Sequence, residues 1–193
     1  MELEAVAKAL KELGRHLNGV VNEGFKVAFN FFPNDLNFEI VHKHLQACCT
    51  RFGANNFRIN VEVTEHSFSG EALAQIHRFK DAGYLISVDD FGTGYSSLSQ
   101  LHEIPAQLLK IDASFSRRLN TEEGRSVMQA IVQLGHLLKL DIVAEGVESE
   151  EIARHLQQLG VRRMQGFYFS EAVPANAAGL MLRLGVTRQL NPP

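Results

Sequence analysis

Cysteine is scarce in this chain: Cys48 and Cys49 are the only two in 193 residues, and they are adjacent. Neighbouring cysteines fit neither a disulfide framework nor a zinc site. In a helical stretch such residues act as small apolar side chains, and the reading that follows is a reducing compartment, the cytoplasm. No sign of charge dominates either. Nineteen Lys and Arg oppose 22 Asp and Glu, for a net charge of −3, so no global field draws the chain onto a nucleic-acid polymer or acidic lipid. The pairs Arg117-Arg118 and Arg162-Arg163 are too short to make a basic patch. No apolar run approaches the roughly 18 residues of a membrane span, and the opening Met1-Glu2-Leu3-Glu4 lacks the basic and apolar regions of a signal peptide. A Gly-x-Ser-x-Gly elbow, a Walker loop and a Rossmann glycine pattern are all missing. Without repeats, low-complexity tracts or linkers, the expectation is one domain over 1–186 and a loose tail over 187–193.

What is there is an average globular composition, 45% hydrophobic and 21% charged, which excludes a disordered, collagen-like or coiled-coil chain. Leu3, Val6, Ala7, Leu10, Leu13 and Leu17 recur at threes and fours, the spacing of an amphipathic helix. Phe25, Val27, Phe29 and Phe31 then alternate as in a strand, and Phe57–Val63 repeats that pattern. Further strand-like runs are Tyr84–Asp89, Leu108–Asp112, Asp141–Glu145 and Arg163–Phe167. Helical patterns lie between them at about 36–51, 70–82, 122–139 and 149–159, with a last one near 175–184. After Asp90 comes a Gly/Ser loop with a shorter apolar segment. Strands alternating with helices imply βαβ units and a parallel sheet. Six strands suit an open doubly wound sheet, or a closed (β/α)8 barrel that is two strands short; composition and periodicity leave both open.

The polar residues fall near the C-terminal ends of these strands. Asn30 lies near the end of the first and Glu62 with Glu65 near the end of the second; Asp89 and Asp90 close the third, Lys110 with Asp112 the fourth, Glu145 ends the fifth with Glu148 just beyond, and Gln165 lies on the sixth. In parallel α/β folds those ends converge on one rim, where ligands bind. One strand-end carboxylate is commonly a helix cap or turn residue, but polar ends on all six strands ask for more. Carboxylates gathered without His or Cys repel one another unless a hard cation such as Mg²⁺ or Mn²⁺ lies among them. Adjacent aspartates can bridge two ions in phosphoryl chemistry. The eight histidines stay outside this pattern and are read as surface or packing residues.

Asp89-Asp90-Phe91-Gly92-Thr93-Gly94-Tyr95-Ser96-Ser97-Leu98 resembles the signature loop of the EAL-domain cyclic di-GMP phosphodiesterases. In the same order come Phe29-Asn30-Phe31-Phe32-Pro33, Glu62-Val63-Thr64-Glu65, Lys110-Ile111-Asp112, Ala144-Glu145-Gly146-Val147-Glu148 and Gln165-Gly166-Phe167, so the resemblance covers roughly residues 4–184. It implies a (β/α)8 TIM-type barrel, N-terminally truncated to about six parallel strands with helices. It also implies hydrolysis of cyclic di-GMP to linear pGpG with two Mg²⁺ or Mn²⁺ ions. By the same resemblance, Asn30, Glu62 and Asp89 hold one ion; Asp89 bridges to the second, which Asp90 and Glu145 help to bind. Lys110 orients the attacking water, Glu65 anchors the loop from Phe91 to Leu98, which includes Gly92, Thr93 and Gly94, and Asp112, Glu148 and Gln165 support the site. A homodimer through the 91–98 loop and the following helix is the implied assembly. The Glu-Ala-Leu signature itself is absent, since Glu4-Ala5-Val6 lies in a helical pattern too close to Asn30. Phe31-Phe32 replaces a Leu-Ser type pair, and the segment after Glu65 is short. The alternative function is therefore a catalytically silent module that binds cyclic di-GMP or a protein.

Overall fold

The computed structural model describes residues 3–20, 25–32, 36–64, 70–93 and 98–185, the side chains of 98–100 apart. The helices and strands that the periodicity predicts are present, with the short α5 added before α6: α1 (Leu3–Leu17), β1 (Phe25–Phe31), α2 (Phe38–Phe52), β2 (Phe57–Thr64), α3 (Gly70–Asp81), β3 (Leu85–Phe91), α4 (Leu98–Glu103), β4 (Leu108–Ile111), α5 (Ala113–Arg117), α6 (Glu122–Leu137), β5 (Asp141–Ala144), α7 (Glu150–Gln158), β6 (Arg163–Met164) and α8 (Ala175–Leu184). The strands form one sheet in chain order, β1 to β6, and β1–β2, β3–β4, β4–β5 and β5–β6 are parallel pairs. The chain falls into two compact units. One comprises 1–63, 67–86 and 173–187, the other 64–66, 87–172 and 188–193.

In the first unit, α1 buries Val6, Leu10 and Leu17 of the stripe that its spacing predicts, together with Gly14, while Leu3, Ala7 and Leu13 are partly buried at its margins. Asn37 caps α2, its side chain accepting from the Ile40 N–H at 3.1 Å, as a short carboxamide at a helix start should. The β1–β2 register sets Phe25 beside Phe57, Val27 beside Ile59, Phe29 beside Val61 and Phe31 beside Val63. Those apolar pairs share one face; Lys26, Ala28 and Asn30, exposed, share the other. Phe38, His42, Phe79 and Tyr84 form a ring cluster in which His42 Nδ1 lies 2.9 Å from the Tyr84 hydroxyl. Burial, with Cys49 adding to it, pushes the Tyr84 phenol up to about 12. Both cysteines are free, and burial pushes both thiols up, as packing residues rather than nucleophiles require.

In the second unit the core gathers Ile111, Leu119, Met128, Val132, Ile142, Ala144, Val147, Ala153, Leu156 and Val161. Thr121 and Ser149 cap α6 and α7 through Gly124 N–H and Ile152 N–H. Five strand ends differ from the sequence reading: β2 runs one residue further, to Thr64, β3 two further, to Phe91, and the other three stop short. β4 stops at Ile111 because Asp112 turns to cap α5, accepting from Ser114 N–H at 2.9 Å. β5 stops at Ala144, and Glu145 lies one residue beyond it, its N–H donating to Ile111 O at 3.1 Å. β6 has two residues rather than five. A Cβ on Gly166 would lie 2.2 Å from Val147 O, so only glycine lets the chain pass there, and it turns at once through a Phe169 N–H to Gly166 O bond of 3.0 Å.

Candidate metal centre

The site in the second unit begins with an irregularity in β3. Its register against β4 runs Ser87 to Leu108 and Val88 to Leu109, but then Phe91 to Ile111. Three steps on β3 therefore oppose two on β4, which is a β-bulge. Successive strand residues normally point to opposite faces. Here the extra residue and the left-handed backbone of Asp90, φ 53, bring the carboxylates of Asp89 and Asp90 to one place. The Asp90 N–H donates to Asp89 Oδ1 at 3.0 Å. Gly92 follows at φ 95, where a side chain would be strained and would also meet the Phe115 ring at 2.5 Å.

β4 and β5 supply the rest. Lys110 lies beside Val143 in the ladder, and Glu145 is the next residue of β5's face beyond Val143. Lys110 Nζ stands 2.8 Å from Asp89 Oδ1 and 2.9 Å from Glu145 Oε1. The three side chains are only 11%, 10% and 19% exposed, so their charges are poorly hydrated and depend on one another. Ligand oxygens of Asp89, Asp90 and Glu145 all lie within 4.8 Å of one another. An all-oxygen set of this size fits a hard divalent cation, and the ammonium wedged between two of its members shows that the place already attracts positive charge.

The other sequence-predicted residues are distributed as follows. Glu62 is buried in the first unit, accepting from Asn60 Nδ2 at 3.1 Å, and Asn30 lies in register with it on β1. Asp112 is a helix cap. Burial works to raise its pKa, but hydrogen bonds from the side chain and backbone of Ser114 and from the Ala113 backbone, with the Arg117 charge, more than offset this and hold it below the ordinary value of 3.8. Glu148 is half-exposed, 3.6 Å from Arg117 Nε. Gln165 is exposed, and its backbone closes the end of the sheet, donating to Ala144 O at 2.9 Å and accepting from Val147 N–H at 3.1 Å. Phe91 is buried within β3 and Thr93 donates its hydroxyl to Asp90 O at 2.9 Å. Glu65, Gly94 and the loop through 97 lie outside the described residues. Sequence reasoning missed Asn60 and Arg117. Asn60 had a signal, since it sits two residues before Glu62 in a strand and so shares its face; Arg117 had none.

The sequence matches the family described as EAL domain over residues 2–172. The chain belongs to the EAL domain family. Among its relatives is the probable cyclic di-GMP phosphodiesterase PdeN of Escherichia coli, 35% identical over 174 residues, covering 89% of this chain and 33% of that protein. The crystal structure of the EAL domain of Mycobacterium smegmatis DcpA superposes with a TM-score of 0.84 at 28% identity, covering 93% of this chain and 82% of that one. The manganese and cyclic di-GMP complex of Klebsiella pneumoniae BlrP1 follows with a TM-score of 0.75 at 29% identity, covering 88% and 43%. The chain spans 21% to 33% of the length of the first three curated relatives it matches. Among the described residues no helix is long and apolar enough to cross a membrane.

Proposed function

We propose that this EAL domain is a metal-dependent phosphodiesterase that hydrolyses cyclic di-GMP to linear pGpG in the cytoplasm. The observation that carries the proposal is the trio Asp89, Asp90 and Glu145, gathered within 4.8 Å by the β3 bulge with Lys110 between two of its members. A relative named as a probable cyclic di-GMP phosphodiesterase and a neighbour holding manganese and that nucleotide support the choice of substrate and ion.

When bound, Mg²⁺ or Mn²⁺ supplies Lewis-acid activation of water and offsets charge on the phosphodiester. Asp89, Asp90 and Glu145 are the ligands in the second unit; Asn30 and Glu62 complete the two-ion set by the resemblance. Lys110 is held by two carboxylates, so its N–H groups have fixed directions. It orients the attacking water and keeps positive charge beside the developing phosphate charge. Glu145 serves both as ligand and as the second anchor of Lys110. Glu65, Glu148 and Gln165 act from the edge of the site, Asp112 holds the start of α5 beneath it, and the Phe91-Gly92-Thr93-Gly94 loop leads to the homodimer surface over 91–98.

A second reading, a silent module that binds cyclic di-GMP without turning it over, draws on the absent Glu-Ala-Leu signature. Loss of one ligand carboxylate removes transition-state stabilisation at about tenfold in rate per 1.4 kcal/mol. The two readings part on one experiment. The purified chain is incubated with cyclic di-GMP and Mg²⁺, then Mn²⁺; pGpG is read by chromatography and nucleotide retention by equilibrium dialysis, beside Glu62→Ala. Product that vanishes in the control supports the enzyme; retention without product supports the silent module.

A further inference from the structure

A cleft of about 410 Å³ opens in the first unit at the start of β2. That volume falls in the range of sites for small organic ligands, about 300–1,000 Å³. Its walls come from the last turns of α2, the turn into β2, the first residues of β2 and the turn that joins α3 to β3. In the sheet β2 has β1 on one side and β3 on the other, and α2 packs against both α1 and α3. The cleft is therefore set within the described fold and not at an end of it.

The lining divides by chemistry. Leu45, Ala54, Phe57 and Ile59 are buried and, with the half-buried Tyr84, make its apolar part. Gln46, Thr50 and Asn55 are exposed and neutral. Arg58 is the one charged residue of the lining, it is exposed, and it makes no ion pair among the described residues. The C-terminal ends of α2 and α3 lie here too, each with a partial negative charge of about half a unit. Carbonyls at those ends are already engaged: Cys49 O accepts from Ala54 N–H at 2.8 Å, Phe79 O from Tyr84 N–H at 3.1 Å and Lys80 O from Gly83 N–H at 3.0 Å. The full guanidinium charge thus sets the sign of what binds, and it balances one negative charge. A phosphate monoester brings about −1.5 to −2, whereas a carboxylate brings one and matches the guanidinium fork.

We propose that this cleft is a second binding site, taking a small carboxylate whose body is an aromatic ring. The carboxylate pairs with Arg58, and the ring displaces water from Phe57, Ile59 and Tyr84, which drives the contact by apolar burial. The inference does not rest on the catalytic reading, because every lining residue belongs to the first unit and none is a ligand of the metal centre.

Titration of the intact, isotope-labelled chain with phenylacetate, followed by amide NMR, tests it. Saturable shifts are expected at Asn55, Arg58 and Gly83, with a Kd at or below about 5 mM, the scale for so small a ligand. Phenylacetamide, of the same shape without the charge, binds at least about threefold more weakly, as loss of an exposed ion pair allows. Arg58→Gln weakens phenylacetate by the same factor and leaves phenylacetamide unchanged; the residue is exposed, so the core is untouched. Phenyl phosphate binds no tighter than phenylacetate. The absence of saturable shifts at these amides up to about 50 mM, well above that scale, overturns the proposal. So does equal binding of phenylacetate and phenylacetamide, or phenylacetate affinity that Arg58→Gln does not change. Tighter binding of phenyl phosphate overturns the assignment to a carboxylate.

Discussion

At the scale of single residues, Lys110 decides how the carboxylates coexist. Its ammonium contacts Asp89 and Glu145 in a poorly hydrated place. Removing it leaves two desolvated carboxylates facing each other, and breaking such a buried arrangement costs about 3 kcal/mol. Lys110→Met should therefore lower stability to urea by that order at pH 7 without metal, and Mn²⁺ should return part of the loss by taking the ammonium's place. A loss unaffected by Mn²⁺ would separate Lys110 from the cation site. Asp112 provides a second check. Its pKa is depressed in the folded chain, so its stabilisation is fully present above the unfolded value, near 3.8, and is lost as pH falls through the folded value. Asp112→Ala should cost about 1 kcal/mol at neutral pH, as a lost helix cap does. The gap from wild type should close below about pH 3.8, the ordinary carboxylate value, in urea titrations across pH.

At the scale of elements, the β3 bulge trades backbone comfort for ligand placement. Asp90 sits at φ 53, a region that costs an L-residue about 1–2 kcal/mol and glycine almost nothing. Asp90→Gly should raise the stability of metal-free protein by about 1 kcal/mol while weakening Mn²⁺ binding. A variant that loses both would show that the carboxylate, not the backbone, carries the stability there. This is also where the sequence was only partly legible. Period-two alternation places Asp89 and Asp90 on opposite faces, and nothing in that pattern announces a bulge; only the glycine after them hints at unusual backbone. The helices and strands themselves were readable from apolar periodicity alone; the caps Asn37, Thr121 and Ser149 are additions of the structure. Strand ends were not. Asp112 chose a helix cap over a ladder position, and the approach of Gly166 to the Val147 backbone cut β6 short. The first is a choice between two local roles for one residue, and the second depends on a contact nineteen residues away in the chain.

At the scale of the whole molecule, binding energy at the carboxylate trio should appear as global stability, since an ion that binds only the folded state stabilises it by mass action. At a hundred times its Kd that amounts to about 2.7 kcal/mol. Mn²⁺ should accordingly raise the melting temperature in a concentration-dependent way, and EDTA should reverse it. The meeting of Asp89, Lys110 and Glu145 in the second unit was legible because strand order follows chain order, so strand-end polar residues could be listed before any coordinates. The measurement that tests the account most directly is a calorimetric titration of the metal-free chain with Mn²⁺, beside Asp89→Asn, a substitution of the same shape with no charge. The account predicts saturable binding by the wild-type chain and a loss of at least about tenfold in affinity in the variant, the scale of one lost ligand charge. No binding by cooperatively folded wild-type protein, or equal binding by the variant, would contradict it.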